Sequence, residues 1–170
     1  LILAFAGAFF LYQTTQREIP DGWEESTGRS IPSVGTTAPS YSLKDMNGNV
    51  VDSSDFLGKP TVINFFTTWC PPCIEEMPGL VDVYNKHKDK GLELVGISLD
   101  TDTRKDLPAF VLNHRIPFRI LLGDLATTRA YGGISSLPTT IFIGKDGRIR
   151  NVHVGYLDRD ALDSEVRKLL

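Results

Sequence analysis

Thr61-Val62-Ile63-Asn64-Phe65-Phe66-Thr67-Thr68-Trp69-Cys70-Pro71-Pro72-Cys73-Ile74-Glu75-Glu76 is the stretch from which the rest of this chain is read. Thr61 to Phe66 is a nearly unbroken apolar run of strand length, the pattern of a strand buried on both faces. Cys70 and Cys73, the only two cysteines of the chain, follow at once with two residues between them. A C-x-x-C pair that leaves a buried strand and opens a helix is a dithiol able to cycle to a disulfide. At a helix N-terminus, unpaired N–H groups and the positive end of the dipole favour an anion, so Cys70 is placed to lose its proton. Cys73, one turn on, is placed to resolve a mixed disulfide by attacking the Cys70 sulfur. Pro71 and Pro72 fit between them because a proline in the first turn gives up an N–H that would have no helical partner. The expected division is Cys70 as exposed attacker and Cys73 as shielded resolver.

A zinc site is the other use of such a pair. Structural zinc takes four protein ligands, commonly as two pairs. This chain has no second C-x-x-C, and His87, His114 and His153 form no H-x-x-x-H. The pair reads as redox-active, with no metal and no cofactor expected. Each histidine reads as structural, with His87 near a helix C-terminus that favours positive charge.

Working outward, the 170 residues suffice for one domain with extensions. A hydrophobic share of 41% and a charged share of 23% suit a soluble globular core. The net charge of −3 and pI near 5.6 argue against nucleic acid as a partner. Residues 1–12 carry no charge and are almost wholly apolar, yet are shorter than the roughly 20 residues of a membrane-spanning helix. The chain starts on Leu, and this segment reads as the end of a signal anchor or signal peptide. Residues 13–39, rich in Pro, Gly, Ser and Thr, read as a linker, and residues 40–170 as the domain.

Within the domain, Tyr41 to Val51 reads as a small hairpin turning at Asn47-Gly48. A helix is expected from about Pro72 to Lys88, with Met77, Leu80, Val81 and Tyr84 on its core face and Pro78 as a kink. Leu92 to Leu99 reads as a second buried strand, making a βαβ unit. A helix near Arg104 to His114, a strand at Phe118 to Leu122 and a short helix at Thr127 to Tyr131 follow. Thr139 to Ile143 and Ile149 to Val154 read as a hairpin, and Asp158 as the cap of a last helix.

This order, βαβ then ββα with the C-x-x-C at the first helix, resembles the thioredoxin fold: α/β, a central mixed sheet flanked by helices, here with an N-terminal β-hairpin and a mid-chain insertion. Leu137-Pro138-Thr139 stands where thioredoxins carry a cis-proline facing the dithiol, Pro78 matches their helix kink, and Gly155 their glycine after the last strand. Within that superfamily the chain resembles the membrane-anchored extracytoplasmic reductases of the TlpA/ResA type, including those of cytochrome c maturation. Gly35-x-x-Ala38-Pro39, the run into Trp69-Cys70, and Leu137-Pro138-Thr139-Thr140 carry that resemblance. ResA-type members have a glutamate three residues after the second cysteine, here Glu76. Thioredoxin keeps a buried aspartate six residues before its first cysteine, and here that position is Asn64, which takes no proton. The resemblance therefore implies Glu76 as the acid–base partner of the dithiol, with Trp69, Pro71, Pro72, Leu137 and Pro138 lining the substrate side. Glu75 reads as a surface carboxylate.

The family implies a reductase of client proteins with oxidised cysteines, possessing a membrane thiol-transferring electron donor and a membrane attachment through its N-terminal segment. Three other functions use overlapping residues. An oxidase or isomerase differs only in redox poise. A thiol peroxidase shares the fold and the Gly-x-x-Ala-Pro opening, but Ile63 stands where its motif has proline. A Sco-like copper chaperone has C-x-x-x-C and a distant histidine, against a spacing one residue shorter here and His153.

Overall fold

The computed structural model describes residues 33–170. The apolar segment 1–12 and most of the expected linker lie outside the described residues. The remaining part of that linker is paired to the domain: Gly35 N–H donates to Ile149 O (2.7 Å) and Ala38 N–H to Gly147 O (2.9 Å).

The fold is thioredoxin-like, built around β3 (Thr61–Phe66). All six of its residues are buried, as a strand with neighbours on both edges and layers on both faces requires. Alternation divides them. Val62 and Phe66 join one apolar cluster and Ile63 and Phe65 the other, one on each side of the sheet. β4 (Glu93–Ser98) pairs with β3 in parallel across α1 (Pro71–His87), closing the expected βαβ unit. β6 (Thr139–Ile143) pairs with β3 antiparallel and β7 (Ile149–Val154) with β6, as the hairpin pattern predicts. The mid-chain insertion comprises α2 (Leu107–Asn113), β5 (Arg119–Leu122) and α3 (Leu125–Ala130), and β5 lies parallel to β4. β1 (Ser42–Asp45) and β2 (Val50–Asp52) extend the sheet beyond β5, giving the order β2-β1-β5-β4-β3-β6-β7.

α4 (Arg159–Leu169) ends the chain and packs with α1 over the Val62/Phe66 face. Gly79 lies against Arg159 at this contact, where a Cβ would stand 3.4 Å from the Arg159 Cβ. Asp158 caps α4 as expected, accepting from the N–H groups of Asp160 and Ala161. Two local expectations change. The β1–β2 turn is organised by Asp45, whose Oδ1 accepts from the N–H groups of Asn47 and Asn49, with Gly48 at φ +86°. Gly48 N–H donates to the Asp45 carbonyl at 3.1 Å and Asp45 N–H to the Asn49 carbonyl at 2.8 Å, so the hairpin turns tightly through a three-residue loop with Gly48 last, rather than through a two-residue Asn-Gly turn. On α1 the buried residues are Cys73, Glu76, Met77, Leu80, Val83 and His87, while Val81 and Tyr84 are half-buried. Hydrophobic spacing could not select Glu76 and His87, whose burial depends on partners from other elements.

Candidate active site

The dithiol stands beyond the C-terminal end of β3, where parallel strands of α/β sheets customarily open their functional crevice. Cys70 is the N-cap residue of α1, with extended backbone (φ −83°, ψ 111°), and its carbonyl accepts from Ile74 N–H at 3.1 Å. Because Pro71 and Pro72 lack an N–H, the first N–H that the helix possesses is that of Cys73. Cys70 and Cys73 are joined as a disulfide, with Cα atoms 5.3 Å apart. Cys73 is 1% exposed and Cys70 only 6%, so the expected exposed attacker is largely covered in this oxidised state. The reason lies in the fold: both sulfurs belong to the apolar cluster under α1 and α4.

Around them, Trp69 is 64% exposed, Pro71 is exposed, and Pro72 and Leu137 are half-buried. The Leu137–Pro138 peptide is cis, and Pro138 is buried, its carbonyl accepting from Gly155 N–H at 2.8 Å. Glu75 is exposed, as expected of a surface carboxylate.

Glu76 is 2% exposed, one turn beyond Cys73 on α1. Its carboxyl sits in a cradle of three donors. Asn64 Nδ2 donates to Oε1 at 2.9 Å, Thr140 Oγ1 to Oε1 at 3.4 Å, and Leu157 N–H to Oε2 at 3.0 Å. Asn64 and Thr140 are cross-strand partners on β3 and β6 and bond each other at 3.0 Å. Thus the Asn64 that interrupts the apolar run points to the α1 face and holds the helix carboxyl. Burial pushes the Glu76 carboxyl up to about 7, against the pull of the three donors from Leu157, Thr140 and Asn64. No cation is paired with it among the described residues. A carboxyl so placed is half-protonated near neutral pH, the condition for giving and taking a proton there.

Sequence reasoning missed Thr140 and Leu157 as functional neighbours. They reach Glu76 across 64 and 81 residues of chain; Thr140 lies in the Leu137–Thr140 stretch that carries the resemblance, but nothing in the sequence ties it or Leu157 to Glu76. His153 lies against the Tyr156 carbonyl (3.1 Å), and among the described residues no three metal-ligating side chains gather. A cavity of about 320 Å³, lined by Tyr41, Phe56, Thr61, Ile143 and Tyr131 among others, lies at the opposite end of β3 from the dithiol.

The chain as a whole is similar to known proteins in sequence and in fold. The model of the AhpC/TSA family matches residues 34–152. The thiol-disulfide oxidoreductase ResA of Bacillus thuringiensis subsp. konkukian is 31% identical over 99% of this chain and 91% of its own length. The chain belongs to the AhpC/TSA family and is ResA-like. ResA of Oceanobacillus iheyensis is 35% identical over 76% of this chain and 69% of its own length. Among solved structures, a thiol:disulfide interchange protein of the thioredoxin family from Chlorobium tepidum superposes with a TM-score of 0.73 at 29% identity, covering 79% of this chain and 95% of that one. A secreted Mycobacterium tuberculosis disulfide oxidoreductase homologous to E. coli DsbE superposes with a TM-score of 0.66 at 26% identity, covering 76% and 96%. The ResA-like chain is a thiol-disulfide oxidoreductase acting through a C-x-x-C pair, and its substrates are disulfide-containing client proteins.

Proposed function

We propose that this ResA-like protein works outside the cytoplasm as a reductant of client disulfides, with Cys70 attacking, Cys73 resolving and Glu76 handling the proton. The single observation that carries the reading is the buried Glu76 carboxyl, titrating near 7, one turn from Cys73. The Cys70 thiolate attacks one sulfur of the client disulfide. The client S–S bond breaks, and the departing client thiolate takes a proton from solvent. Cys73 then gives its proton to the Glu76 carboxylate and attacks the Cys70 sulfur, displacing the second client thiolate. The client gains two electrons and the enzyme ends as the Cys70–Cys73 disulfide. A membrane dithiol donor restores it by the reverse exchange.

Trp69, Pro71, Pro72, Leu137 and Pro138 form the client side of the site in this reading. The Pro138 carbonyl is taken by Gly155 N–H, so it is Leu137, the residue before the proline, that offers backbone groups to an extended client segment. The uncharged apolar segment 1–12 supports attachment to a membrane, residues 13–39 a linker to it, and the secreted relative an extracytoplasmic address. No helix among the described residues is long and apolar enough to cross a membrane.

The test is the reduction potential of the Cys70–Cys73 couple, measured by equilibration with a redox buffer. A value at or below that of thioredoxin, about −270 mV, is expected. A value near about −120 mV makes the protein an oxidant and overturns the direction of electron flow.

A further inference from the structure

The loop that delivers Cys70 is tied down from a second strand by a carboxylate that the exchange chemistry above does not use. Asp100 follows the C-terminal end of β4, next to the end of β3, and is 1% exposed. It is saturated with donors. Thr68 N–H reaches both oxygens (3.0 and 3.2 Å), and the Thr68 hydroxyl reaches Oδ1 at 2.7 Å. The Ser98 hydroxyl donates to Oδ2 at 2.8 Å, and the Thr103 hydroxyl also donates to Oδ1. Among the described residues no Lys, Arg or His forms an ion pair with it. Thr68 is two residues before Cys70, and the Cys70 N–H in turn leans on the Thr67 carbonyl at 3.4 Å. A second tie, Leu99 N–H to Phe66 O at 2.8 Å, holds the same two strand ends together.

We infer that Asp100 is a positioning residue for the attacking cysteine, fixing the Thr67–Cys70 loop and setting the redox poise of the dithiol through its uncompensated charge. The inference rests on the reading of Cys70 as attacker. Four neutral donors hold the carboxylate through five hydrogen bonds, but none cancels its charge, and a buried negative charge raises the cost of a thiolate nearby. A less stable thiolate means a less stable reduced form, hence a stronger reductant. Glu76, one turn beyond Cys73 on α1, is a buried titratable group on the resolving side, held by Asn64, Thr140 and Leu157. Asp100 acts on the opposite flank, through the loop.

Asp100→Asn separates charge from shape. Its Oδ1 still accepts from Thr68 N–H, and the Ser and Thr hydroxyls can rotate to accept from the new amide. The alkylation rate of Cys70 against pH and the equilibrium of the couple with glutathione are the readouts, with peptide mapping to identify the alkylated sulfur. In D100N the alkylation midpoint falls and the equilibrium moves at least tenfold toward the reduced dithiol, about 30 mV for a two-electron couple. A folded D100N with an unchanged midpoint and an equilibrium within twofold of the parent overturns the inference, whatever its melting temperature. Should D100N not fold, Ser98→Ala and Thr103→Val each remove one donor and keep the charge, and both readouts then shift the opposite way. Unchanged readouts in those two also overturn it. Mapping that places the alkylated sulfur on Cys73 refutes the assignment of Cys70 as attacker, a different failure from an unmoved midpoint.

Discussion

The two ends of α1 each bury a carboxyl against neighbouring elements, and the two titrate in opposite directions. Near the N-terminal end, Glu76 has three neutral donors and no cation, and burial lifts it to about 7. Near the C-terminal end, Asp163 of α4 meets His87 Nε2 at 2.6 Å, Lys86 Nζ at 2.9 Å and Arg167 Nε at 3.4 Å. The hydrogen bond from His87, then that from Lys86, holds Asp163 down to about 2. The lesson is that burial alone does not decide a carboxyl's role. A compensated carboxylate stays ionised across the working pH range and serves as a clamp between helices. A carboxyl with hydrogen bonds but no counter-charge is left able to exchange its proton, and this one lies one helical turn beyond Cys73.

Four outcomes break or sharpen this contrast. The largest effect is expected from Cys70→Ser, which abolishes disulfide exchange. Cys73→Ser instead accumulates a mixed disulfide with the client, visible as a mass adduct, and an adduct on the Cys70→Ser protein contradicts the division of labour.

Next is Glu76→Gln, for which client reduction at neutral pH falls about a hundredfold, within the usual span of acid–base catalysis. The inflection near pH 7 in the Cys73 alkylation profile disappears with it. An unchanged profile removes Glu76 from the proton path.

The same residue makes a stability prediction with a definite sign. Its folded value of about 7 exceeds its ordinary 4.5, so the folded protein binds the extra proton between these values. Stability therefore declines as pH rises from about 4.5 through 7, by at most roughly 3 kcal/mol. In denaturant titrations that decline is shallower in Glu76→Gln, and an identical slope in both proteins refutes the uncompensated burial.

Asp163 has the reverse sign and a smaller size. Its folded value is below the ordinary 3.8, so its contribution is fully present above about 3.8 and is lost as pH falls through 2. Asp163→Asn should cost about 2 kcal/mol at neutral pH, with the difference from the parent vanishing near pH 2. Its redox potential should equal the parent's. A moved potential would mean that the two ends of α1 are coupled.

Much of this could be read from one dimension. The apolar run of β3, the turn residues and the C-x-x-C each carry a local signature, because strand burial, helix starts and thiol chemistry act over a few residues. Glu76 was legible through its position after Cys73 in a family pattern, and Asn64 through its place in an otherwise apolar strand. Their contact was not legible, since a helix carboxyl and a strand amide meet only once α1 folds back on β3. The same holds for Thr140, Leu157, and the His87–Asp163 pair, whose members lie 76 residues apart. Asp100 carried no signal at all, being one acid in a polar loop.

By itself, then, the sequence determined the dithiol, the order of strands and helices, and the type of chemistry. All three follow from residue identity at short spacing. Only the tertiary structure decided that both sulfurs are covered, that Glu76 is buried without a cation while Asp163 is buried with one, and that Asp100 grips the loop of Cys70. The physical reason is that desolvation and charge compensation are set by whatever chain segments arrive from far away, and a proton's affinity for a buried group is fixed only when they have arrived.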